Sequence, residues 1–184
     1  MVGIWTLIQN RMKERNSSFL YLLPNKDIRI KREGENTMKE EVKIIIAEDD
    51  EGHATLIRRN LKRAGVSNDI IHFKDGQETL DYLFKKNKDL SRESGVPILL
   101  LLDINMPKVD GVEVLRQLKE DAELRKIPIV MITTTDDPRE VEKCHQLGCN
   151  SYITKPIDST KFVEAIRKLG LFLLVVEVPV INGD

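Results

Sequence analysis

The chain has 184 residues, 41% of them hydrophobic and 32% charged, and its 29 Lys and Arg nearly balance 30 Asp and Glu for a net charge of -1. That length supports one substantial core rather than two full domains, and the near balance removes the charge footprint of a dedicated nucleic-acid binder or a polybasic membrane anchor. Two cysteines, Cys144 and Cys149, spaced as neither CxxC nor a paired clip, exclude a disulfide scaffold and a zinc module and fit a reducing cytoplasm.

Charge is unevenly spread. Residues 1–40 hold eight Lys or Arg against five Asp or Glu, while residues 41–184 hold 21 against 25. The first region carries short apolar clusters, Ile4-Trp5, Leu7-Ile8 and residues 19–23, interrupted by Arg11, Lys13, Glu14 and Arg15. It shows no charged n-region followed by a long apolar h-region, so no secretory signal is read there. Residues 25–41 are polar and read as a linker. Residues 1–40 are therefore expected to be an N-terminal extension, disordered or not native. Translation starting at Met38 is one reading, and an amphipathic helix over residues 4–15 that docks on a partner is the other.

Regular patterning begins at Val42. Residues 42–47 form a short apolar run rich in β-branched side chains, which predicts a buried strand ending at Glu48-Asp49-Asp50. Ala54, Leu56, Ile57 and Leu61 then recur at helical spacing, with Gly65 where a helix C-cap belongs. Residues 70–73 read as a second strand, and Asp75-Gly76 opens a helix carrying Leu80, Tyr82, Leu83 and Phe84. The polar stretch 85–95 reads as an exposed loop.

Residues 96–102 form the most apolar run of the region, a strand buried on both faces that stops at Asp103. Asp110-Gly111 leads into a helix with Val112, Val114, Leu115 and Leu118. A fourth strand over 127–132 ends in Thr133-Thr134-Thr135. Asp137-Pro138 is an N-cap followed by proline at the first helical position, and Gly148 closes that helix. A fifth strand over 151–154 runs into Lys155-Pro156, after which Asp158 or Ser159 caps a helix bearing Phe162, Ile166 and Leu169.

Five strands alternating with five helices through short connections require parallel strands and right-handed crossovers. The expected architecture is α/β, a doubly wound, flavodoxin-like three-layer sandwich with strand order 2-1-3-4-5. Its ligand site lies beyond the carboxyl ends of the strands. Collected there are Glu48 and Asp49, Asp103, Thr133 and Lys155. Three carboxylates at the rim of an apolar sheet repel one another unless a hard cation sits among them, and oxygen donors select magnesium or manganese over zinc. A cation and an ammonium flanking a carboxylate suit a phosphoryl group, with Thr133 offering a hydroxyl.

At these residues the chain resembles the response-regulator receiver family. The matching segments are IIAEDD at residues 45–50, LLDINMPKVDG at 101–111, ITT at 132–134 and YITKP at 152–156, in order and in register. The resemblance spans residues 41–170 and implies that Asp103 accepts a phosphoryl group from a sensor histidine kinase. It further implies that Asp49 and Asp103 ligate Mg2+, with Mn2+ as an alternative, that Glu48 acts mostly through water, and that the backbone carbonyl of Asn105 completes the set. Lys155 would pair with the phosphoryl group, Thr133 and Tyr152 would form the switch pair, and Lys155-Pro156 would be a cis peptide. Thr134 is a weaker alternative to Thr133. Pro107, Gly111 and Pro156 serve loop geometry at the site.

The polar stretch before the third strand and the apolar segment after residue 170 are similar to single-domain regulators that serve phytochrome kinases. Only 14 residues follow Gly170, so no attached output domain is expected. Residues 171–184 are too short an apolar run to span a bilayer, which takes ~20 residues. They are expected to pack on the domain, add an edge strand or join a homodimer built on the fourth helix, fifth strand and fifth helix. His53, His72 and His145 sit on separate elements and receive no metal or base role. Cys144 and Cys149 read as packed thiols.

Two rivals belong to other classes. An aspartyl-nucleophile, Mg2+-dependent phosphatase would carry a second acid two residues after the nucleophile, where this chain has Asn105. A nucleotide- or flavin-binding module would carry GxGxxG or P-loop glycines after a strand, and none follows.

Overall fold

Runs of β-branched and leucine side chains with almost no polar interruption make strands that must be covered on both faces, and five helices among the described residues do so. The computed structural model describes residues 42–86, 91–155, 159–173 and 178–181. The readings of residues 1–40, of the Lys155-Pro156 peptide and of Asp158 as a cap lie outside the described residues.

In chain order the elements are β1 (Lys43–Ala47), α1 (Glu51–Arg63), β2 (Ile70–Phe73), α2 (Gly76–Leu83), β3 (Ile98–Leu102), α3 (Gly111–Glu120), a 3-10 turn (Leu124–Lys126), β4 (Ile129–Thr133), α4 (Pro138–Leu147), β5 (Ser151–Thr154) and α5 (Ser159–Leu173). The strands form one parallel sheet in the order β2-β1-β3-β4-β5, the expected doubly wound arrangement. β1, β3 and β4 occupy the middle and are almost fully buried, whereas β2 and β5 are half-buried edges.

Alternation along each strand divides the core in two. Ile45, Ala47, Leu100, Leu102, Ile129 and Met131 point to the face covered by α2, α3 and α4, where Leu83, Leu115, Leu118 and Cys144 meet them. Ile44, Ile46, Leu99, Leu101, Val130 and Ile132 point to the face covered by α1 and α5, through Ile57, Leu61, Phe162 and Ile166. Helix starts are fixed by side chains. Asp50, Asp75 and Asp110 each accept the backbone N–H three residues on, and Asp137 accepts that of Arg139 with Pro138 next to it.

The structure shifts several boundaries. The cap of α1 is Ala64, and Gly65 follows it with φ 93°, the left-handed step that ends helices just past the cap. β4 begins at Ile129 because Ile127 is still tied to the 3-10 turn, its N–H donating to the Leu124 carbonyl. The polar loop after α2 is not wholly exposed. Arg92 turns inward, 6% exposed, and its Nε donates to the Leu83 carbonyl at 2.8 Å, so its stem supplies apolar cover and backbone meets one end of its head, while the buried Nη1 has no hydrogen-bond partner among the described residues. α5 runs to Leu173, so residues 171–173 are helical rather than an edge strand.

Ile181 is fully buried among the α2–α4 side chains, and its carbonyl accepts the Gly95 N–H at 3.0 Å. Cys144 and Cys149 are free and buried, and burial pushes their thiols up to about 11 and about 12. Among the described residues no helix is long and apolar enough to cross a membrane.

Leu115 is fully buried where α3 meets the sheet. Leu115→Ala is expected to cost about 2–5 kcal/mol, read as a lower urea midpoint with an unchanged slope.

Candidate functional site

The register of β1 against β3 builds the centre of the site. Ala47 stands opposite Leu102, so the next residues, Glu48 and Asp103, leave the sheet side by side, and the Asp103 N–H donates to the Ala47 carbonyl at 2.9 Å. The strand order reverses here, where open α/β sheets leave a crevice. At the far edge β5 pairs with β4 up to Thr133 opposite Thr154, and the Lys155 N–H donates to the Thr133 carbonyl. That ladder delivers Lys155 across the strand ends.

Lys155 Nζ lies 2.6 Å from Glu48 Oε2 and 2.7 Å from Asp103 Oδ2. All three groups are buried, and the second oxygen of Asp103 accepts the Ile104 N–H at 2.7 Å. One ammonium between two buried carboxylates leaves a net negative pocket, which burial makes costly. Burial is the larger influence on Glu48 and holds its carboxyl above the usual range despite Lys155. Asp49, exposed, completes a group in which one oxygen each from Glu48, Asp49 and Asp103 lies within 4.8 Å of the others. An all-oxygen, net negative, partly open set fits a hard divalent cation.

The remaining residues take different places. Thr133 is fully buried at the end of β4, and its hydroxyl oxygen accepts the Thr135 N–H at 3.4 Å. Thr134 is exposed and meets the Asn105 amide at 3.5 Å. Tyr152 is half-buried on β5, its hydroxyl donating to the Thr135 carbonyl at 3.1 Å, and burial pushes its phenol above the ordinary range. It does not meet Thr133 directly but shares the Thr133–Thr135 turn with it. Pro156 lies outside the described residues.

The loop after Asp103 is held from below. A Cβ on Gly111 would stand 1.9 Å from the Asp103 carbonyl oxygen, and one on Gly76 would stand 2.1 Å from that of Val109, so only glycine lets the loop approach both helices. Within it the Val109 N–H donates to the Pro107 carbonyl, and Lys108 adopts φ 64°. Its Nζ reaches the buried Asp75 at 2.6 Å. Burial opposes the Asp75 charge, yet Lys108 and the N–H groups of Glu78 and Gln77 hold that carboxyl below the usual range.

Residue patterning did not reveal two contacts. His53 Nδ1 lies 3.3 Å from Glu48 Oε1, and His72 Nε2 lies 2.7 Å from the Glu48 carbonyl oxygen. The signals were present: Asp50 caps the turn that seats His53, and His72 pairs with Ile46 two residues before Glu48.

Comparison with known proteins follows the same lines. The family model for the response regulator receiver domain matches residues 44–167. The crystal structure of a response regulator receiver domain from Rhodospirillum rubrum is 48% identical, with a TM-score of 0.72, covering 77% of this chain and 99% of that one. The phosphorylated cyanobacterial phytochrome response regulator RcpA is 31% identical, with a TM-score of 0.67 and coverage of 74% and 97%. The probable methanogenesis regulatory protein FilR2 of Methanothrix harundinacea is 37% identical over 131 residues, 70% of this chain and 83% of that protein.

The raised carboxyl of Glu48 has a consequence for stability. Above the ordinary carboxylate range the native state still holds a proton that the unfolded chain has released, so metal-free stability falls as pH rises through that window. Glu48→Gln cannot ionise. In chelator, denaturant titrations are expected to favour the variant over wild type increasingly as pH rises above the ordinary carboxylate range. A gap that is flat or reversed over that rise contradicts the assignment.

Proposed function

The chain belongs to the response regulator receiver domain family, and from that premise we propose that it is a phosphoacceptor switch in which Asp103 takes the phosphoryl group of a phosphohistidine on a sensor histidine kinase. The observation that carries this reading is the placement of Lys155 Nζ against both Asp103 and Glu48 beside exposed Asp49. A carboxylate oxygen of Asp103 attacks phosphorus, the phosphorus–nitrogen bond breaks, and the imidazole departs with the electron pair, leaving an acyl phosphate.

Glu48, Asp49, Asp103 and the Asn105 carbonyl are the residues that would hold Mg2+, or Mn2+ in its place. The ion would neutralise charge on the phosphoryl oxygens. Lys155, already 2.7 Å from Asp103, offers its ammonium to the same oxygens. The Thr133 hydroxyl, with Thr134 beside it, can turn towards the phosphoryl group. That movement disturbs the turn whose Thr135 carbonyl now receives the Tyr152 hydroxyl, so the ring follows and biases a two-state equilibrium. The surface formed by α4, β5 and α5 would carry the signal and could pair two copies as a homodimer. Similarity to a phytochrome response regulator supports a phytochrome-type kinase as the donor, and the setting is the cytoplasm. The phosphatase reading gains no support, because Asn105 offers no acid to protonate a leaving group or activate water.

Incubation with Mg2+ and a small acyl phosphate donor, read by intact mass, tests the proposal. Wild type gains the mass of one phosphoryl group, Asp103→Asn gains none, and chelator abolishes the gain. No gain by wild type, or an equal gain by the variant, ends the reading, and sustained turnover of a phosphomonoester would revive the phosphatase.

A further inference from the structure

Both oxygens of Glu48 are engaged from opposite sides. Lys155 Nζ lies 2.6 Å from Oε2, and His53 Nδ1 lies 3.3 Å from Oε1. Glu48 is 1% exposed, whereas the His53 side chain stands 44% exposed at the rim. The route by which His53 arrives is written into the chain: Asp50 accepts its backbone N–H at 2.7 Å, which seats it in the first turn of α1 directly above the strand end carrying Glu48. From β2, His72 Nε2 meets the Glu48 carbonyl oxygen at 2.7 Å. A carbonyl only accepts, so that nitrogen carries the proton and pins the Glu48 backbone.

The donor atoms of Glu48, Asp49 and Asp103 group within 4.8 Å of one another without His53. An effect of His53 on an ion in that pocket therefore passes through Glu48. We propose that His53 is a positioning residue of the divalent-ion pocket: with its proton on Nδ1 it donates to Glu48 Oε1 and holds the carboxylate so that Oε2 stays on Lys155 while the side towards Asp49 and Asp103 stays open to a cation. The inference rests on the reading of this pocket as a magnesium site. Without the donor a buried carboxylate oxygen loses its hydrogen bond and the group turns to recover one. Each such turn draws Oε2 from Lys155 and leaves the ammonium to Asp103 alone. Partners that orient a ligand typically change metal affinity by about 10- to 100-fold, and a half-exposed ring at this distance belongs at the lower end.

Two measurements on the full chain test the inference, neither of which uses phosphoryl transfer. In calorimetric titration with Mg2+ and with Mn2+ at one pH, His53→Leu, which keeps bulk and removes the donor, weakens both ions about tenfold. His53→Asn, whose amide N–H can stand near the place of Nδ1, restores most of the loss, and both variants melt as wild type does in chelator. Long-range proton–nitrogen spectra of the imidazoles place the neutral-form proton of His53 on Nδ1. Equal affinity of wild type and His53→Leu, a His53→Asn variant as weak as His53→Leu, or a bare Nδ1 in the neutral ring overturns the positioning role. Failure of wild type itself to bind either ion overturns the magnesium reading instead.

Discussion

The ammonium of Lys155 sits where two buried carboxylates would otherwise face each other across the ends of β1 and β3. Among the described residues nothing else within reach of the pair carries positive charge at comparable burial, so the geometry of the crevice depends on this one side chain. It comes from the far edge of the sheet, and its place is set by the β4–β5 ladder rather than by any contact of its own backbone with β1. The cost of burying such a triad is several kcal/mol per ion before pairing is counted. A site of this kind is kept for what it binds, because an apolar filling would stabilise the fold at least as well.

That dependence explains why the surrounding elements are so tightly specified. The loop carrying Asp103 is clamped between the starts of α2 and α3 by backbone approaches that admit no side chain at Gly76 or Gly111, and it is tied to the buried cap Asp75 through Lys108. On the other flank, the Thr135 N–H donates to the buried hydroxyl of Thr133 and the Thr135 carbonyl accepts the phenol of Tyr152. One wall of the crevice is therefore rigid by steric exclusion, and the other is held by hydrogen bonds that can be exchanged for others at little cost.

The strands and helix starts were legible because each rests on local chemistry. Continuous apolar runs bounded by aspartate mark β1 and β3, and the caps Asp50, Asp75, Asp110 and Asp137 announce four helices directly. The acidic residues and Lys155 were legible because a parallel sheet gathers its strand ends on one side. What escaped the residue pattern depends on rotamer and on distant partners. Arg92 looks like a loop cation until its guanidinium turns under Leu83. His53 and His72 look unrelated until the β1–β2 register and the Asp50 cap bring both to Glu48. The extent of α5 past Gly170 was hidden because an apolar run of that length suits a helix and a buried strand equally.

Ile181 and Gly95 are joined by a backbone hydrogen bond although most of the sheet lies between them in sequence. Ile181 also fills the face shared by α2, α3 and α4. Contacts of such wide separation meet a large loop-closure entropy before they give anything back, and they weigh on folding speed more than on final stability. The apolar face beneath Asp103 thus takes part of its cover from a segment far along the chain from its own strands, which ties completion of that face to a slow, long-range closure.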